Sequence, residues 1–214
     1  MKDFRFKVPQ NIEFGVGSLK KLPEILNESK SEHVFLISDE GLAKLGVVKK
    51  VQDIVEADGL KCTTYLGVVP NPTVDVVNES TKCYKESGAT SIIALGGGSS
   101  MDVAKATGVL ATYGGKITDY EGLYKVPGPI VPIIAIPTTA GTGSEVTASA
   151  VVTDEERNYK MSVIIAHAAS SSCLFATKRR IFAPISSIAF SAIASVNGDA
   201  KLDTYASNAW ISAS

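Results

Sequence analysis

Short apolar runs that end in a polar or glycine-rich turn recur along most of this 214-residue chain, each separated from the next by a helical pattern. The clearest are residues 33–39 (HVFLISD), 91–95 (SIIAL) and 130–136 (IVPIIAI). A strand that is apolar at successive rather than alternate positions is buried on both faces, as in a parallel sheet. The intervening segments have helical spacing. Residues 42–57 carry Val47, Val48, Val51, Ile54 and Val55 on one face; Asn71-Pro72-Thr73 caps a helix running to about Glu86; a third helix runs from Met101 to about Thr112. Ser18 offers a cap for a helix bearing Leu19, Leu22, Ile25 and Leu26, and short strands are predicted at 11–15 and 62–66. Strands alternating with helices imply an α/β fold, an open and mostly parallel sheet flanked by helices. Ligands of such sheets bind beyond the carboxyl ends of the strands.

Composition narrows the partners. With 45% hydrophobic and 20% charged residues the chain is neither disordered nor fibrous, and a net charge of -1 provides no footprint for nucleic acid or anionic lipid. Cys62, Cys83 and Cys173 lack the spacing of zinc or redox motifs and read as reduced core thiols. Met1 to Phe6 mixes charges with aromatics, without the apolar stretch of a signal peptide, which predicts a cytoplasmic protein. The uncharged run 181–198 contains Pro184, four serines and Asn197, a poor match to a membrane span. Beyond residue 164 the pattern changes: residues 165–214 hold 12 Ala, 10 Ser and only six charged residues. We divide the chain into an α/β domain, 1–164, and a partial or atypical helical segment, 165–214. The start of an α-helical domain, a degraded or added tail, and misread sequence all fit that second composition.

Two loops carry chemistry. Gly96-Gly97-Gly98-Ser99-Ser100 follows a buried strand and opens a helix, so its backbone can approach a ligand while the helix N-terminus favours a pyrophosphate. Its spacing is neither the G-x-G-x-x-G of Rossmann folds nor a Walker motif. Asp102, in the first turn of that helix, can accept a ribose or amide hydrogen bond. Asp39 ends the preceding buried strand, where dinucleotide sites put a carboxylate against the ribose hydroxyls; its charge would favour NAD over NADP. It can equally cap the helix that follows. The segment 137–147 offers Thr138, Thr139, Thr142, Ser144 and Thr147 with two glycines, and Lys160 can supply a cation to the same cleft.

At these residues the chain resembles the iron-containing (group III) alcohol dehydrogenases, which share the dehydroquinate synthase-like fold. The matching stretches are Phe14-Gly15-x-Gly17, the segment from Leu36 through Ser38-Asp39 to Gly41-Leu42, Pro70-Asn71-Pro72-Thr73, GGGSSMDVAK (96–105) and PTTAGTGSEVT (137–147). The resemblance implies an NAD-binding α/β domain followed by a helical domain holding Fe2+ or Zn2+, with the active site between them. It implies pyrophosphate contacts at Gly97, Gly98 and Ser99, an adenosine-ribose contact at Asp39, and cofactor contacts at Asn71, Asp102, Thr138, Thr139, Thr142 and Lys160. The reaction it implies is hydride transfer between nicotinamide and a short-chain alcohol or aldehyde, with the metal polarising the substrate oxygen. Association into homo-oligomers is also implied, with the N-terminal strand as a pairing edge.

One part of the family pattern is missing. Its members take metal ligands from a G-x-D-A-x-x-x-H motif and two further histidines, whereas this chain has only His33 and His167, neither at a matching position. The nearest counterpart is Gly198-Asp199-Ala200, where Asp199 is a candidate metal ligand with Asp203 one helical turn away. Two carboxylates are too few for a transition-metal site. The alternatives are therefore an NAD-binding unit without turnover, or a sibling activity such as glycerol dehydrogenase or dehydroquinate synthase.

Overall fold

A computed structural model describes residues 11–165 and the backbone of residues 172–176. Six parallel strands form one sheet in the order β1-β8-β5-β4-β2-β3: β1 (Ile12–Gly15), β2 (His33–Ile37), β3 (Lys61–Tyr65), β4 (Ser91–Gly96), β5 (Ile133–Pro137) and β8 (Ser172–Ala176). Helices α1 (Leu22–Glu28), α2 (Glu40–Lys44), α3 (Val47–Ala57), α4 (Val74–Ser87) and α5 (Gly98–Tyr113) connect them. An antiparallel hairpin, β6 (Ser149–Asp154) and β7 (Tyr159–Ile164), lies outside the sheet.

The continuous apolar runs have a direct structural cause. Successive strand side chains point to opposite faces, and both faces are covered. Phe35, Ile37, Ile92, Ala94, Ile133 and Ala135 join the core that includes Val77 and Tyr84 of α4 and Val103, Ala106 and Val109 of α5. Their neighbours Val34, Leu36, Ile93, Leu95, Ile134 and Ile136 pack with Leu22, Ile25 and Leu26 of α1 and Val48, Val51 and Val55 of α3.

The sheet turns direction beside β2. The chain leaves β2 to form β3 on one side and then returns through α4 to form β4 on the other. A topological switch of this kind leaves a crevice between the carboxyl ends of the two diverging strands, here those of β2 and β4. The Asp39 turn and the Gly97–Ser99 turn flank it.

Several boundaries differ from those predicted, each for a local reason. Ser18 caps no α-helix; it begins a 3-10 turn, Ser18–Lys21, whose cap is Gly17 at φ 80°, and α1 starts at Leu22 with a proline in its first turn. Pro23 lacks an N–H and fits best there. The predicted helix 42–57 is two helices, because Gly46 at φ 73° ends one and caps the next. β5 begins at Ile133 rather than 130, since Pro132 has no N–H for the ladder, although its carbonyl accepts from Ile92. No strand is predicted from the sequence at the β6–β7 hairpin, whose strands are short. The sheet also continues past residue 164, with β8 inserted between β5 and β1.

Candidate functional site

The first loop is shaped by its backbone. Gly96 has φ 148°, a conformation strained for any residue with a side chain, and a Cβ there would overlap the Ser100 side chain. The first α5 turn closes with Met101 N–H donating to the Gly97 carbonyl, 3.3 Å, so the preceding N–H groups have no partner within the helix. Ser99, the second residue of α5, lines the crevice. A cavity of about 590 Å3 runs from Ser99 to Asp39 and is walled by Leu66, Val68 and Val69. Asp39 Oδ1 accepts from the Leu42 N–H at 3.0 Å, so this carboxylate caps α2 while also lining the cavity. A mainly apolar cleft with a carboxylate at one end and helix N–H groups at the other suits a ligand with a flat ring, hydroxyls and a phosphate.

The second loop lies over the first. Thr138 N–H donates to the Gly96 carbonyl at 2.9 Å, extending the β4–β5 pairing into the loops. A Cβ on Gly97 would sit 3.3 Å from Thr139 Oγ1, and one on Gly98 would sit 3.6 Å from Thr142 Cβ. Thr138, Thr139 and Thr142 are exposed beside the crevice. The loop's hydroxyls also bond within the protein, and of the residues that carry these bonds only Ser144 is buried, Thr142 and Thr147 being exposed. Ser144 Oγ donates to Asp102 Oδ1 at 2.6 Å, Thr147 Oγ1 donates to the Ser144 carbonyl at 3.3 Å, and Thr142 Oγ1 donates to the buried Glu145 at 3.1 Å.

Beneath this loop lies Lys105, only 9% exposed. Its Nζ donates to the carbonyls of Ser144 and Ser149, 2.6 and 2.7 Å, and is 3.9 Å from Asp102. Burial pushes the Lys105 pKa down to about 8, against the upward pull of Asp102 and Glu145. Burial likewise raises the Asp102 pKa, opposed by the Ser144 hydrogen bond and the Lys105 charge. At the far side the hairpin docks on the 71–73 loop, Thr153 N–H donating to the Pro72 carbonyl at 2.8 Å. Lys160 thereby reaches Asn71, donating to its Oδ1 at 2.8 Å across 89 residues of sequence.

The family model for iron-containing alcohol dehydrogenases matches residues 9–175. The chain belongs to the iron-containing alcohol dehydrogenase family. It is 41% identical over 162 residues to alcohol dehydrogenase 4 of Schizosaccharomyces pombe, a match covering 76% of this chain and 38% of that protein. It is 42% identical over 158 residues to choline dehydrogenase of Bacillus subtilis, covering 72% of this chain and 39% of that one. The chain thus spans about two fifths of the length of these relatives. The structure of sulfoacetaldehyde reductase from Bifidobacterium kashiwanohense in complex with NAD+ superposes with a TM-score of 0.76 at 29% identity, over 82% of this chain and 46% of that one.

For this member of the iron-containing alcohol dehydrogenases, the structure gathers Asp39, Gly97, Gly98, Ser99, Asp102, Thr138, Thr139 and Thr142 around the switch-point crevice and its covering loop. Asn71 and Lys160 meet each other at the hairpin, while Ser144 and Thr147 lie behind the loop. Lys105 and Glu145 went unread in the sequence. The available signal was Asp102 and Lys105 three residues apart, on one face of any helix. Among the described residues, no group of three or more His, Cys, Asp or Glu is placed to hold a metal ion. The donors present there do not fit the family's metal. Asp199, Asp203 and His167 lie outside the described residues. Cys62 and Cys83 are half-buried free thiols, and burial pushes Cys62 up to about 11. No helix among the described residues is long and apolar enough to cross a membrane.

Proposed function

We propose that this chain binds NAD along the switch-point crevice and serves hydride transfer between nicotinamide and a short-chain alcohol or aldehyde in a cytoplasmic oxidoreductase. The observation that carries the reading is the junction of β4 and α5: a backbone-shaped glycine turn at a helix N-terminus, covered by threonines and continuous with the Asp39 cavity. In this reading Asp39 accepts the adenosine-ribose hydroxyls and disfavours the 2′-phosphate of NADP. Leu66, Val68 and Val69 face the adenine, and the N–H groups of Gly98 and Ser99 receive the pyrophosphate. Asp102, Thr138, Thr139, Thr142 and the Asn71–Lys160 pair bound the nicotinamide half, with Ser144 and Thr147 supporting the loop from behind.

When bound, the nicotinamide supplies the hydride acceptor: the carbinol carbon gives up a hydride, the hydroxyl a proton, and an aldehyde results. The residues of this chain bind and orient the cofactor. The nucleotide-binding unit comprises residues 1–164 together with β8, and β1, the edge strand among the described residues, offers a pairing surface for a second copy. The relatives support an alcohol or aldehyde substrate through their names, and the sulfoacetaldehyde reductase through its complex with NAD+.

Titration calorimetry of the full chain tests the binding. NAD should bind more tightly than NADP, and Gly98→Asp should lose NAD affinity; equal NAD binding by that variant refutes the site. NADH formation from a panel of short alcohols tests the turnover, and no NADH from any of them refutes it.

A further inference from the structure

Lys105 is the only lysine or arginine buried among the described residues. Its four acceptors all lie in one short stretch: the Ser144 and Ser149 carbonyls at 2.6 and 2.7 Å, Ser144 Oγ at 3.1 Å and Thr147 Oγ1 at 3.4 Å. Apart from Ser149, which pairs with Ile164 in the β6–β7 hairpin, that stretch has few other anchors. Val146 and Thr147 N–H groups donate only within the turn, to Gly143 and Ser144, and the Ala148 carbonyl accepts from Ile165. Lysine ammonium has donors and no acceptor. Ser144 Oγ therefore accepts from Lys105 and directs its own proton to Asp102 Oδ1, 2.6 Å away.

We infer that Lys105 is a positioning residue of the nucleotide site: its amine latches residues 144–149 onto α5, which holds Thr139 and Thr142 over the glycine turn and fixes Asp102. The inference rests on the NAD-binding reading above. The latch does not depend on protonation, because ammonium and neutral amine alike keep an N–H for each of the two carbonyls. It acts at one end of the site only. The Asp39 end of the cavity is lined by Asp39, by Glu40 and Gly41 of α2 and by residues 66–70, none of which Lys105 touches; Ser99 of α5 lines the opposite end.

Lys105→Met removes every donor at similar length. In the full chain, hydrogen exchange of residues 138–149 should speed up while β2 and α3 exchange as in the wild type. NAD affinity should fall about tenfold or more, and affinity for AMP, which ends before the nicotinamide half, should stay within about twofold. Unchanged exchange in 138–149, or equal losses for NAD and AMP, overturns the inference. If Lys105→Met does not fold, Lys105→Gln decides, since its shorter side chain cannot serve both the Ser144 and Ser149 carbonyls: faster exchange in 138–149 with a loss for NAD but not AMP supports the latch, and wild-type exchange with unchanged NAD affinity overturns it. A wild type that binds no NAD refutes the proposed function instead, and the exchange measurement still judges the latch.

Discussion

At residues 96–100 the loop is made by backbone, whereas at residues 137–147 it is made by side chains. Gly96 holds a dihedral that a side chain would strain, and the turn passes directly into α5 without any side-chain cap. The second loop is held by hydroxyls, by Glu145 and above all by Lys105. Both are rich in residues that suit phosphate or ribose, yet only part of the second faces the crevice. A hydroxyl-rich segment is thus no measure of how many hydroxyls a ligand can meet. Some of them satisfy buried charges, whose burial would otherwise be costly.

Gly96 is the most constrained point of the two loops. Gly96→Val adds a branched side chain at φ 148° against Ser100, and should destabilise the fold by about 3 kcal/mol or more in urea unfolding. A loss below about 1 kcal/mol would show that the turn relaxes and that glycine there is not structural. Gly98→Asp tests the same loop for function without that strain. It should reduce NAD affinity by about a hundredfold through charge repulsion at the helix N-terminus while the melting temperature changes little.

Asp39→Ala separates the two tasks of one carboxylate. NAD should bind about tenfold more weakly and the preference over NADP should shrink, and loss of the α2 cap should cost about 1 kcal/mol. A variant with unaltered NAD and NADP affinities would leave Asp39 as a cap alone.

The smallest effect is a pH slope. Lys105 titrates near 8 in the folded chain, below its ordinary 10.5, so between those values the unfolded state binds more protons and stability rises with pH. That contribution is complete above 10.5 and is lost as pH falls through 8. Chemical denaturation of wild type and Lys105→Met across this window should show the rise in the wild type only. Parallel curves would mean that Lys105 is not held in the buried, desolvated setting described.

Much of this architecture was legible beforehand because burial on both faces leaves an uninterrupted apolar run. β2 and β4 are such runs, and each ends in the residues that flank the crevice. The hairpin was legible in principle, since Ala150, Val152 and Asp154 alternate with more exposed neighbours. The eye passes over it because its turn is acidic and its strands are short. Asp154 takes two backbone N–H groups and the Arg157 guanidinium, so the turn that reads as solvated charge is a closed structural unit.

The sequence by itself determined the class of fold, the positions of the glycine turn and the threonine loop, and the family. Local conformational preference and period-two burial act over a few residues, so they leave marks that neighbouring positions reveal. Only the tertiary structure decided which hydroxyls face the crevice, that Lys160 reaches Asn71, and that Lys105 stands under the second loop with Asp102 and Ser144. Those arrangements join residues some forty to ninety positions apart. The contacts of Lys105 exist because a buried amine must find acceptors wherever packing brings them, and no local pattern records where that will be.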